Sequence, residues 1–137
     1  VIHVLFVGFL LFFYGWKTTL LFGAAAFMGM LLLECVNYIE HYGLSRQRTA
    51  NGNYGRPRPQ HSWNSNHVLG RLMLFELSRH SDHHYLASRK YQILRHHDTA
   101  PQMPTGYPGM MLLAHIPPLW FRIMNRKIAA LAATRQA

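Results

Sequence analysis

The first 36 residues constrain this chain more than any other feature, because they contain almost nothing that prefers water. Apart from one tyrosine, the ionisable side chains there are His3, Lys17, Glu34 and Cys35. Two apolar runs, 1–16 and 18–36, meet at Gly15, Trp16 and Lys17. A helix satisfies its own backbone hydrogen bonds, so such runs suit a bilayer. Each run is short for a hydrocarbon core of ~30 Å at ~1.5 Å per residue, so crossing calls for tilt or local thinning. Two arrangements fit: a hairpin of two spans anchored at the interface by Trp16 and Lys17, or one long bent helix. The chain opens inside an apolar run without Met or a basic leader, which suggests a piece of a longer protein and not a signal peptide.

Charge divides the rest. The mean hydropathy of −0.04 averages over two unlike halves, since every Lys and Arg except Lys17 lies after Leu44. The expected organisation is a membrane-embedded stretch, 1–36, followed by a region, 37–137, on the positive cytoplasmic side. A pI near 10.3 also invites a nucleic-acid reading. Here the basic residues are scattered along loops with no binding motif beside them, so no nucleic-acid partner is expected. Cys35 is the single cysteine; it excludes an internal disulfide and a thiolate cluster, leaving metal chemistry to histidine and carboxylate.

Beyond the apolar stretch, residues 45–67 are rich in Arg, Asn, Gly, Pro and Gln, with Arg56-Pro57-Arg58-Pro59 incompatible with helix interior. A helix is expected over about 66–85, with Val68, Leu69, Leu72, Phe75 and Leu77 as its apolar face. Prolines and glycines at 101–109 mark a second irregular stretch. Residues 110–121 form a short apolar segment broken by Pro117-Pro118, and 122–137 a basic helical tail. No strand pattern and no repeat stands out, so the fold class is all-α.

The densest chemistry lies in Arg79-His80-Ser81-Asp82-His83-His84. On a helix, positions i, i+3 and i+4 share a face, so His80, His83 and His84 converge. Neutral imidazoles so placed are metal ligands of iron, copper, zinc or nickel sites, and Asp82 between them can hold a ring N–H from outside the ligand set. A histidine-rich surface patch is the plainer alternative. A second site, Glu40-His41, follows where the second apolar run ends. Glu34, Asn37 and His41 fall near one helical face; Glu34 either looks into a protein cavity or snorkels to the interface.

NYIEHYGL at 37–44, QHSWNSNH at 60–67, RHSDHH at 79–84 and PTGYPGM at 104–110, in this order and spacing, resemble the integral-membrane alkane 1-monooxygenases, within the histidine-box superfamily of fatty acid desaturases and hydroxylases. The resemblance runs from about residue 10 to 126. It implies a polytopic membrane helix bundle in the bacterial inner membrane. This chain would supply about two transmembrane helices and a cytoplasmic histidine-bearing region, with the metal site on the cytoplasmic side. It implies two non-haem irons, O2 as co-substrate, and hydroxylation of medium-chain n-alkanes to 1-alkanols. Rubredoxin, served by its reductase, would donate the electrons. By motif, His41, His80, His83 and His84 correspond to iron ligands, and Glu40 and Asp82 to groups that support them. The HxxxH and HxxxHH boxes are absent from these residues, so the chain alone is expected to be inactive. Ser78 departs from the pattern, standing where Gln is usual.

Other histidines carry weaker expectations: hydrogen bonding or packing for His61 and His67, surface or supporting positions for His96 and His97, structural roles for His3 and His115. Arg46, Arg48, Arg56, Arg58, Arg89, Lys90 and Arg95 suit either an acidic electron carrier or anionic lipid headgroups. Three rival functions remain: a fatty-acyl desaturase or other lipid hydroxylase, a zinc-dependent membrane hydrolase, for which no HExxH helix is present, and a non-catalytic basic membrane-binding module.

Overall fold

The computed structural model describes residues 1–134; the last residues of the basic tail, 135–137, lie outside the described residues. The described residues form five α-helices and no strand: α1 (Ile2–His41), α2 (Val68–Met73), α3 (His80–Tyr85), α4 (Tyr107–Ala114) and α5 (Pro117–Thr134), with 3-10 turns at Pro59–His61 and Tyr91–Ile93. The chain divides into two units, residues 1–35 and residues 36 onward.

The first unit is helical throughout except at Gly15, whose φ of 76° and ψ of 170° lie in a region open essentially to glycine alone. Sixteen residues of straight helix would separate Phe6 from Phe22 by ~24 Å. Their ring centroids are 5.4 Å apart, so the two arms fold back around Gly15. Of the two arrangements that the sequence left open, this is the hairpin of two helical arms, joined at Gly15. α1 is the one helix among the described residues that is long and apolar enough to cross a membrane. Phe12, Leu21 and Leu33 are exposed along it, as expected of a surface made for lipid or for further helices.

The second unit has a core of Ile39, Trp63, Met103, Tyr107, Met110, Trp120 and Met124. Its organiser is the extended segment 62–66. Trp63 N–H donates to the Glu40 carbonyl at 2.8 Å, and Asn64 and Ser65 N–H donate to the Pro101 and Ser78 carbonyls at 2.7 and 2.9 Å. Trp63 Nε1 adds a bond to the Tyr42 carbonyl at 2.8 Å. A loop with no regular structure therefore ties the end of α1 to the segments before α3 and α4. On the other side, α5 lays Trp120 against Tyr38 and Tyr42, with centroids 5.3 and 5.2 Å away, and Asn125 accepts from the Tyr42 hydroxyl at 2.7 Å.

One sequence expectation is corrected here. The helix over 66–85 is two short helices, because Phe75 and Glu76 both take positive φ, 49° and 66°. Arg71 clasps Glu76 through two 2.8 Å bonds across this reversal, and Glu76 N–H bonds the Arg71 carbonyl. The proposed apolar face consequently stays largely outside the core: Val68, Leu69, Leu72, Phe75 and Leu77 are exposed, and Phe75 meets Tyr91 edge-on with centroids 6.1 Å apart. The break expected at Pro117-Pro118 is present: α4 ends at Ala114 and α5 opens at Pro117. Proline at a first helical position forfeits no hydrogen bond and arrives with helical φ.

Candidate metal centre

The site is built where α1 runs out against α3. Gly43, with φ 68°, turns the chain immediately after α1, and Leu44 N–H closes the turn on the His41 carbonyl at 3.1 Å. His41 thus stands at a helix end pinned by segment 62–66, and its ring is hydrogen-bonded to the His61 backbone. In α3, His80 and His84 lie one turn apart with ring centroids separated by 4.3 Å. His41 comes within 5.1 Å of the first ring and 5.0 Å of the second. One ligand nitrogen from each of His41, His80 and His84 falls within 4.8 Å of the others.

The geometry suits a shared ion. His41 Nε2 and His80 Nε2 are 3.3 Å apart. Two imidazole nitrogens each ~2.1 Å from one ion, at tetrahedral or right angles, are separated by about 3.0–3.4 Å. Protonation suits it too: burial, and then the neighbouring His84, His41 and His83, lower the His80 pKa to about 3. Desolvation, followed by His41, His83 and Arg46, lowers that of His84 as well. Both rings are therefore neutral at physiological pH, the form that ligates. The Glu40 carboxylate defines which nitrogen is free. Its Oε1 is 3.2 Å from His80 Nδ1, so a proton there leaves the Nε2 lone pair aimed at the cluster. Such an ion would be an imidazole-bound transition metal, with iron, copper, zinc and nickel all compatible with the donor set.

The remaining candidates fall in different places. His83 lies outside the cluster of three, its centroid 5.9 Å from His80 and 5.7 Å from His84; the i+3 position swings to the opposite flank of α3 from i+4. Asp82 is fully buried and reaches none of the three α3 histidines. It accepts from Arg89, from Arg95 N–H at 2.8 Å and pairs with His97 at 2.7 Å. Burial raises its pKa, but the bonds from Arg95, His97 and Arg89 outweigh that and hold it below the usual carboxylate value. The spacing expectation for Asp82 is thus corrected: one step along the helix turns its side chain away from the cluster, and it locks the 86–97 loop to α3 instead.

Three contributors escaped sequence reasoning. Tyr107 donates its hydroxyl to Glu40 Oε1 at 2.6 Å; burial, then the Glu40 carboxylate, hold its pKa well above the ordinary value, so it remains a donor. Asn64 accepts from Ser81 Oγ at 3.1 Å and its amide meets His96 Nδ1 at 3.0 Å, tying α3 and the loop that carries His96 to segment 62–66. Arg89 neutralises Asp82. The polar residues of QHSWNSNH and the tyrosine of PTGYPGM stood in the quoted motifs, but nothing in their spacing said what they would touch.

A family is identified by comparison with known proteins. Residues 1–114 match the fatty acid desaturase family, and the chain belongs to it. Among individual proteins it is similar to alkane 1-monooxygenase 2 of Pseudomonas aeruginosa, with 54% identity over 117 residues, covering 85% of this chain and 31% of that protein. It is 54% identical over 103 residues to alkane 1-monooxygenase of Acinetobacter baylyi, covering 75% and 25%. With alkane 1-monooxygenase of Pseudomonas putida it shares 47% over 129 residues, covering 93% and 32%. The chain spans about a third or less of the length of these relatives.

Proposed function

We propose that this chain is part of a multi-pass membrane monooxygenase that hydroxylates medium-chain n-alkanes at the terminal carbon to 1-alkanols. In this reading the cofactor would be two non-haem irons, the co-substrate O2 and the electron donor rubredoxin. The observation that carries the proposal is the meeting of His41, His80 and His84 at the end of the apolar helix, in a chain similar to proteins named alkane 1-monooxygenase. His41, His80, His83 and His84 would be ligands, with the other donors supplied by the rest of the protein. His83, flanking the cluster, would serve the second iron. Bound iron would supply dioxygen activation, while this chain's residues keep the imidazoles neutral and oriented. Glu40 supports His80 directly; Asp82 acts at one remove, by holding α3 against the 86–97 loop.

In the same reading this centre lies at the cytoplasmic edge of the inner membrane, which the apolar stretch preceding His41 in the chain supports. Its donor side would be the ordered turn at 47–55, where Gly55 N–H bonds the Gln47 carbonyl at 3.1 Å and Thr49 N–H the Asn53 carbonyl at 2.8 Å. Arg46 and Arg48 stack on Tyr54 there, residues 41–75 contain no acidic side chain, and the charge of Arg46 is felt at His84. An acidic rubredoxin would find such a surface beside the metals.

The test is product analysis with the full-length protein, rubredoxin and its reductase under 18O2. The proposal expects 1-alkanol carrying one 18O atom. The family match also favours a lipid desaturase or lipid hydroxylase; alkene products, or turnover of acyl lipids in place of alkanes, would replace the alkane reading with that one.

A further inference from the structure

The carboxylate that supports His80 is itself held, and by a residue from a distant part of the chain. Glu40 Oε1 accepts the Tyr107 hydroxyl at 2.6 Å and faces His80 Nδ1 at 3.2 Å. One oxygen thus serves both partners. Glu40 is 5% and Tyr107 1% exposed, so water does not compete effectively for that oxygen. Tyr107 is in turn immobilised: it is the first residue of α4 and belongs to the core with Trp63, Met110 and Trp120. Without the hydroxyl, a carboxyl group on a rotatable side chain is free to offer either oxygen, or to turn from the imidazole.

We propose that Tyr107 is a positioning residue for the metal centre, fixing Glu40 so that His80 keeps its proton on Nδ1 and presents Nε2 to the ion. This rests on the reading of His41, His80 and His84 as metal ligands. The PTGYPGM segment then has a role at the site, though it contains no ligand. Partners that orient ligating histidines typically tune metal affinity by 10–100-fold. Tyr107 acts one bond further out, so its removal is expected to weaken binding by about tenfold.

The experiment uses the full-length protein, stripped of metal and titrated with ferrous iron against a competing chelator. Cobalt(II) loading provides a ligand-field absorption signature. Tyr107→Phe keeps the ring and its packing. The proposal expects weaker iron binding and a shifted cobalt spectrum in Tyr107→Phe. It also expects Glu40→Gln to be at least as impaired, and Tyr107→Phe to add little in the Glu40→Gln background. Should Tyr107→Phe prove unstable, 3-fluorotyrosine at position 107 preserves shape while altering the donor, and the cobalt spectrum must still shift. Unchanged affinity and spectrum in Tyr107→Phe, or a full Tyr107→Phe effect surviving in Glu40→Gln, would overturn the proposal. Wild-type protein that binds neither metal would overturn the ligand reading beneath it, a result distinct from both.

Discussion

Gly43→Ala should be among the most damaging single-atom-scale changes in the second unit, and its cost divides into two separable parts. Gly43 has φ 68°, where a residue with a Cβ is disfavoured by ~1–2 kcal/mol. That Cβ would also sit 2.1 Å from Ile128 Cδ1 and 3.0 Å from its Cγ1, far inside contact. Forcing α5 or the Ile128 side chain aside adds overpacking of ~1–3 kcal/mol. The sum, about 2–5 kcal/mol, is a large fraction of the ~5–15 kcal/mol that holds a domain together. At ~4–8 °C per kcal/mol for a unit of this size, reversible melting in detergent should fall by at least ~8 °C. Because His41 lies two residues away, metal affinity should fall with it. Ile128→Ala removes both Cδ1 and Cγ1 at its own cost of ~2–5 kcal/mol. In that background Gly43→Ala should cost only the ~1–2 kcal/mol of backbone strain. A melting temperature unchanged by Gly43→Ala, or an equal cost in both backgrounds, would refute the assignment of Gly43 to close approach of α5.

Asp82→Asn should cost ~3 kcal/mol, the typical price of breaking a buried ion pair, and should be read out by melting and by faster proteolysis within 86–97. Its depressed pKa means that the stabilisation is present above the ordinary carboxylate value of 3.8 and is lost as pH falls through the lower folded value. Wild-type stability should therefore drop below about pH 4, with Asp82→Asn flatter over that range. Ser78 Oγ is buried without a hydrogen-bond partner among the described residues. Ser78→Ala should be neutral or stabilising by up to ~1–3 kcal/mol, and a clear loss of stability would reveal a partner that this chain does not contain. Removing metal from the full-length protein with a chelator should abolish alkanol formation, with ferrous iron restoring it and zinc failing to, as measured by product yield.

What could be read from the sequence depended on how local each determinant was. The apolar stretch and the cluster in RHSDHH were visible because helical spacing puts His80 and His84 on one face. The identity of the helix containing them was less legible. The run of apolar residues at 68–77 imitates a continuous amphipathic helix, and nothing in it announces that Phe75 and Glu76 reverse the chain. Spacing also misdirected Asp82, because adjacency to ligands in sequence is a step of ~100° around a helix. Tyr107 lies 67 residues from Glu40, and only the folded core brings them together. The motif quoted around it marked the segment without saying what it does.

The most direct test of the account is metal analysis with X-ray absorption on the purified full-length protein, wild type beside His80→Ala. The account predicts two irons per chain in the wild type, imidazole nitrogens at ~2.1 Å, and a loss of iron together with imidazole scattering in the variant. Iron absent from the wild type, or iron content and spectrum untouched by loss of His80, would contradict it.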